Sequence, residues 1–289
     1  MFLKFWGTRG SIPVPGRKTL KYGGNTPCVE VLTKPGRLII LDAGSGIREL
    51  GKYLTKYANQ NVIDIFISHF HWDHIQGIPF FLPLFQKGNK ITFHGQAQGR
   101  LDLQELISRQ MSPSFFPVKM KDLNADIRYK EIAPGKKYKI DDVTVKTMSA
   151  NHSAPTIIYK LTRRNKSIVY ITDNELVTGQ PGSGDPMGDI ERNNKQLINF
   201  CRDCDYLIHD SMYDEQTVQE KKGWGHSSNV ALTYFSILAG VKNLVLFHFN
   251  PEYSDDKIDS LLSETKKIIR SLKSGLEVIA AREGKRIEI

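Results

Sequence analysis

Seven consecutive residues constrain this chain more than any other stretch: Ser68-His69-Phe70-His71-Trp72-Asp73-His74. An apolar, β-branched run over residues 62–67 leads into them and reads as a buried strand. A helix-like run over residues 75–85 leads out, interrupted by Pro79 and Pro83. In extended backbone His69 and His71 point to the same side. Asp73 and His74 are adjacent on a turn, so they diverge and can serve a second centre close by. Neutral imidazoles and carboxylates are ligands that Zn²⁺ and related divalent ions take. A chance cluster of surface histidines would not need this strand-to-helix setting.

Composition limits the rest. With 289 residues and 40% hydrophobic content, the chain can bury a substantial core as one large α/β domain or two smaller ones. It holds no apolar run of about eighteen residues, so no transmembrane helix is expected. Met1 runs directly into a strand-like segment over residues 2–6, without a signal-peptide pattern, so a cytoplasmic location is expected. The three cysteines, Cys28, Cys201 and Cys204, include one lone C-x-x-C and no second pair, and are read as packing or surface residues. A net charge of +9 favours phosphate-bearing partners, but the basic residues are dispersed and no aromatic-interleaved basic stripe stands out.

Along the chain, polar residues recur where strands end. Gly7-Thr8-Arg9-Gly10-Ser11-Ile12-Pro13 follows the first strand, and its backbone N–H groups and Arg9 could meet a phosphate. Strands over 28–32 and 38–41 pair around Pro35-Gly36. Asp42 follows, suited to orient a ligand histidine or to cap a helix over 47–57. A strand is expected over 91–94, a helix over 98–110, and an aromatic loop over 111–117 with Phe115 and Phe116. Sheet edges follow at 127–132, 137–140 and 143–147. His152 lies at a strand end, a hairpin over 157–161 and 167–171 leads to Asp173, and the Gly/Pro-rich residues 179–189 read as a loop able to act as a lid. Then come a helix over 191–201, a strand over 206–209 ending in Asp210, and His226 before a helix over 229–238. Last are a strand over 243–247 ending in His248, a helix over 255–271 and a strand over 276–279. His94 and His209 read as structural.

The motif resembles the metal signature of the metallo-β-lactamase superfamily, in its phosphodiesterase and ribonuclease Z-like branch. That resemblance implies an α/β four-layer αβ/βα sandwich, two mixed sheets flanked by helices, with residues 1–289 as a single metallo-hydrolase domain. It implies that His69, His71 and His152 hold one metal, that Asp73, His74 and His248 hold a second, and that Asp173 bridges both. The ions would be Zn²⁺, with Mn²⁺ or Fe²⁺ fitting the same donors. Members of the phosphodiesterase-like branch often carry glycines after the third-motif histidine, where Ala154-Pro155 stand here. β-Lactamases of the superfamily have a cysteine where this chain has Asp173. A bridging carboxylate suits two close ions, which lower the pKa of a shared water toward roughly 7 for attack on a phosphodiester.

His226 is the side chain best matched to protonate a leaving alkoxide, with Asp210 orienting it. Asp73, His226 and Asp210 are therefore the expected catalytic residues. Ribonuclease Z-like enzymes carry a tRNA-gripping arm between the third-motif histidine and the bridging aspartate. Here His152 and Asp173 are 21 positions apart, filled by one hairpin. The favoured substrate is therefore a small nucleotide phosphodiester, a cyclic nucleotide first. The alternatives are a tRNA 3′-processing endoribonuclease, a thioester or lactone hydrolase, and a ligand-binding module that has kept the fold. Nucleic acid is a permitted but less favoured partner, no membrane partner is expected, and a homodimer is allowed.

Overall fold

The computed structural model describes residues 1–34, 37–58, 61–179 and 184–289. The chain packs as two compact units: Met1–Pro134 with Arg282–Ile289, and Gly135–Ala281. Each is built on one mixed seven-stranded sheet.

The first unit contains β1 (Phe2–Gly7), β2 (Cys28–Lys34), β3 (Arg37–Leu41), β4 (Val62–Phe66), β5 (Lys90–Gly95), β6 (Asp126–Glu131) and the C-terminal β14 (Arg286–Glu288). Their order is β14-β1-β2-β3-β4-β5-β6. The β14, β1, β2 and β3 neighbours are antiparallel, and β3 through β6 run parallel. The parallel strands β3 and β4 are buried almost throughout, as a continuous apolar run such as Leu38–Leu41 predicts. Helix α1 (Gly46–Tyr57) lies against β1. It buries Ile47, Leu50 and Leu54, one stripe at helical spacing, each worth about 1.5–3 kcal/mol of transfer free energy. The Pro35-Gly36 turn expected between β2 and β3 lies outside the described residues.

The helix expected over 75–85 is corrected. Helix α2 (Trp72–Ile75) is one turn and begins inside the histidine motif. Two 3₁₀ turns follow, Ile78–Phe80 and Leu82–Phe85, each with a proline in its first turn. The prolines cannot donate the hydrogen bonds a continuous helix needs. The helix expected over 98–110 shortens to α3 (Leu103–Ser108) followed by a 3₁₀ turn. Asp102 and Glu105 form a reciprocal capping box that sets its start.

The second unit contains β7 (Lys137–Ile140), β8 (Val143–Ser149), β9 (Ile157–Arg163), β10 (Lys166–Ile171), β11 (Tyr206–Asp210), β12 (Asn243–Phe247) and β13 (Glu277–Ala280), in the order β13-β12-β11-β10-β9-β8-β7. Strands β10 to β13 are parallel, whereas β7 to β10 form an antiparallel meander. Helices α4 (Pro186–Asn193) and α5 (Lys195–Cys201) replace the single helix expected over 191–201, broken at Asn194. Asn194 donates from Nδ2 to the Val177 and Ile190 carbonyls. The expected 179–189 loop therefore gives way to helix at Pro186, and its residues 180–183 lie outside the described residues.

Helix α6 (Glu215–Glu220), capped by Asp214, and strand β14 had no counterpart in the sequence reading. Helix α7 (Asn229–Leu238) is capped by Ser228 and α8 (Asp255–Ser271) by Ser254. Helix α8 buries Ile258, Leu261, Thr265 and Ile269 and packs on α7 and β13. Among the described residues no helix is long and apolar enough to cross a membrane. All three cysteines are buried free thiols, as packing residues should be.

Candidate metal centre

Ligands of open α/β sheets gather at the carboxyl ends of parallel strands, and the polar residues singled out above lie there in each unit. Asp42 follows β3 and the histidine motif follows β4. Asp173 follows β10, Asp210 ends β11, and His248 follows β12. Asp42, Asp173 and His248 share a left-handed backbone, with φ of 59°, 47° and 56°. Non-glycine residues rarely adopt that conformation, and it recurs where a side chain must turn sharply off a strand end.

In the first unit His69, Asp73 and His74 are buried and His71 is exposed. The His69 and His71 rings meet edge to face with centroids 4.5 Å apart, as their i, i+2 spacing implies. Asp42 orders this group. Its carboxylate accepts from Ser68 N at 2.7 Å, Ser68 Oγ at 2.9 Å and His74 Nδ1 at 2.8 Å. Asp42 is thus the orienting carboxylate, while the residue before α1 is Ser45. Because Asp42 only accepts, Nδ1 of His74 carries the proton, and its Nε2 presents a lone pair 3.1 Å from Asp73 Oδ2. Two acceptors held face to face are reconciled by a cation between or beside them, so the donors fit a metal.

The glycine-rich loop meets this group in a way the sequence did not suggest. Ser11 N donates to Asp73 Oδ2 at 2.8 Å. Arg9, expected to meet a phosphate, is fully buried, with Nε donating to the Gly23 carbonyl at 2.8 Å. Its charge faces Glu283, whose carboxyl is pushed up by burial and drawn back by Asn25 and Arg9. Arg9 therefore ties the loop to the C-terminal segment.

In the second unit His152, Asp173, Asp210, His226 and His248 come together. His152 Nδ1 lies 3.2 Å from the Gly225 carbonyl, which can only accept, so its Nε2 lone pair faces Asp173 Oδ2 at 3.7 Å. His248 Nε2 lies 3.1 Å from Asp173 Oδ1, and Thr172 Oγ1 donates to that same oxygen at 2.7 Å. Again imidazole nitrogens converge on a carboxylate, a donor set that fits a divalent ion. His226 Nδ1 donates to Asp210 Oδ2 at 2.6 Å. Ligand atoms of Asp173, Asp210, His226 and His248 all lie within 4.8 Å of one another. His226 lies against Tyr213, 5.7 Å between centroids and edge to face, while Trp224 is exposed under the Lys221 ammonium. Burial, then the Asp210 carboxylate, pushes the Tyr213 phenol up to about 12, so it stays neutral beside His226.

His94 and His209 are structural. His94 Nε2 bonds Asp64 at 2.8 Å, and Arg37 bonds the other oxygen of Asp64. His209 is wholly buried between the Asp210 carbonyl and Asn174, and burial holds its pKa down. Sequence reasoning missed Ser11, Tyr213 and Glu175. Glu175 stands two places after Asp173, but nothing local marks its partners, 48 and 50 residues away.

Comparison with known proteins agrees with this architecture. Residues 37–249 match the family described as the β-lactamase superfamily domain. A ribonuclease Z of Methanosarcina acetivorans is 24% identical over 93% of this chain and 94% of its own length. The metallo-β-lactamase fold protein YhfI of Bacillus subtilis superposes with a TM-score of 0.72 at 17% identity, covering 100% of this chain and 99% of that one. A diphosphatase of the PhnP family superposes with a TM-score of 0.63 at 16% identity, covering 100% and 97%. These likenesses bear out the expected two mixed sheets flanked by helices.

Proposed function

The chain belongs to the β-lactamase superfamily domain family, and on that premise we propose that it is a dinuclear metal-dependent phosphodiesterase acting on a small nucleotide phosphodiester, a cyclic nucleotide first. His69, His71 and His152 would hold one cation and Asp73, His74 and His248 the other, with Asp173 shared. Zn²⁺ suits the imidazole and carboxylate donors, and Mn²⁺ or Fe²⁺ suits them too. Two such cations supply charge neutralisation and an acidified water.

The observation that carries the reading is the 2.6 Å contact between His226 Nδ1 and Asp210. It fixes the imidazole tautomer and stabilises the ring when it is charged. That leaves Nε2–H as the proton to be given to a departing alkoxide. Asp73 is aimed by the Ser11 amide. Two residues, Arg164 and Asn165, join β9 to β10, so the stretch from His152 to Asp173 has no room for an RNA-gripping arm. This favours a small ester.

The test is a nucleotide-panel hydrolysis screen on protein of measured metal content, with bis-p-nitrophenyl phosphate as control and a chelator to abolish turnover. His226→Ala should lower turnover of alkoxide esters by about 10²–10⁴-fold with metal content unchanged. Full activity in that variant would remove His226 from the chemistry.

A second reading, an endoribonuclease processing tRNA 3′ ends, is favoured by the curated relatives named ribonuclease Z. Cleavage of a tRNA precursor, steeply weakened by salt, would select it. Turnover of thioesters or lactones without any phosphodiester would replace both.

A further inference from the structure

We propose that Glu175 is a positioning residue that sets His226 and His152 for the reaction, an inference resting on the phosphodiesterase reading above. Its carboxylate receives the backbone of a separate loop: Gly223 N donates to Oε1 at 3.0 Å and Oε2 at 2.8 Å, and Gly225 N donates to Oε2 at 3.0 Å. Gly223 and Gly225 have φ of 85° and 83°, so this turn is left-handed at both glycines. Gly225 immediately precedes His226, and its carbonyl orients His152 at 3.2 Å. One carboxylate thus fixes the peptide that aims the acid histidine and the carbonyl that aims a ligand histidine.

The backbone of the same residue closes the arrangement. Glu175 N donates to the Asn151 carbonyl at 2.9 Å, and Asn151 Nδ2 donates to the Glu175 carbonyl at 2.9 Å. Asn151 N in turn donates to Asn174 Oδ1 at 2.9 Å. Ser227 Oγ donates to the Asn174 carbonyl at 2.6 Å and accepts from Leu176 N at 3.0 Å. The loops carrying His152, Asp173 and His226 are therefore laced together through residues 174–176. Glu175 holds the Gly223–Gly225 turn, and Asp210 accepts from His226 Nδ1 and, at 3.5 Å, from Ser227 N.

Leaving-group dependence separates positioning from plain structural support. A p-nitrophenolate leaves without a proton, whereas the ribose alkoxide of a 3′,5′-cyclic nucleotide needs one. In Glu175→Ala, turnover of the cyclic nucleotide should fall by about 10²-fold, the cost of misplacing a catalytic group by about 1 Å. Its turnover of bis-p-nitrophenyl phosphate, which feels the loosened His152 but needs no proton from His226, should fall at least tenfold less. Glu175→Gln, which keeps one acceptor oxygen, should recover part of the loss. Equal falls on both esters, or no fall on the cyclic nucleotide, would overturn the assignment.

A second readout needs no turnover. In metal-free protein the Gly223 and Gly225 amides should exchange hydrogen at least tenfold faster in Glu175→Ala than in wild type, and unchanged protection would also overturn it. Wild-type protein inactive on both esters would instead defeat the phosphodiesterase reading, leaving the exchange experiment to decide the clamp.

Discussion

Replacing Asp42 tests the orienting shell at its most buried point. Asp42 is fully buried and accepts hydrogen bonds from Ser68 N, Ser68 Oγ and His74 Nδ1. In Asp42→Ala the Ser68 hydroxyl can turn to His69 Nδ1, already 3.2 Å away. The Ser68 amide loses its acceptor in a dry site, and for His74 Nδ1–H a long 3.5 Å contact to Ser68 Oγ replaces a 2.8 Å bond. At about 1–3 kcal/mol per buried unmatched donor, the loss is about 2–6 kcal/mol. That is a large share of the roughly 5–15 kcal/mol that holds a typical protein folded.

Asp42→Asn behaves differently. Its carbonyl can keep the Ser68 amide, but its NH₂ then faces His74 Nδ1. The imidazole escapes the clash by moving its proton to Nε2, where it meets Asp73 Oδ2 at 3.1 Å. Stability falls little, while the lone pair proposed to bind metal disappears. Metal affinity should fall about 10–100-fold. Urea unfolding of the metal-free variants, chelator competition and imidazole ¹⁵N shifts together read out the split. An alanine variant destabilised by less than about 1 kcal/mol, or an asparagine variant binding metal as wild type does, would refute the argument.

Other perturbations follow from the same geometry. A Cβ on Gly225 would lie 2.0 Å from His152 Nδ1, so Gly225→Ala must push that ring by about 1 Å, and turnover should drop about 10²-fold with metal content reduced. Cys28, Cys201 and Cys204 are buried, and burial raises all three thiols, Cys204 to about 12. A thiol reagent at pH 8 should therefore titrate none in native protein and three after denaturation. Partial burial raises the Asp214 carboxyl, but hydrogen bonds from Lys257 and Thr217 outweigh it and bring it down from 3.8 to about 2. A depressed carboxyl contributes stability above its unfolded value and loses it as pH falls from 3.8 toward 2. Lys257→Met should flatten the stability profile across that window, measured as melting temperature against pH.

What could be read ahead of the structure was local. The bounds of β12 and α8 coincide with expectation because apolar run, helical stripe and serine cap lie within a few residues of each other. The placing of His69 and His71 on one side follows from the two-residue period of extended chain. The pairing of Asp210 with His226 was also anticipated, and the two are in contact. The helix over 75–85 failed where Pro79 and Pro83 removed donors that an apolar pattern does not count. The long helix over 191–201 failed at Asn194, whose side chain bonds the backbone of Val177 and Ile190.

By itself, then, the sequence determined the strand-end motif, the alternation of strands and helices and the donor chemistry, because these depend on neighbours along the chain. Only tertiary structure decided that Arg9 turns inward to Gly23 and Glu283 while Ser11 meets Asp73. The same holds for the left-handed backbone at Asp42, Asp173 and His248, and for Glu175 holding a turn 48 residues away. Such features arise from hydrogen bonds and burial between distant segments, whose free energy exists only once the sheets have formed. No residue's neighbours in sequence carry that information.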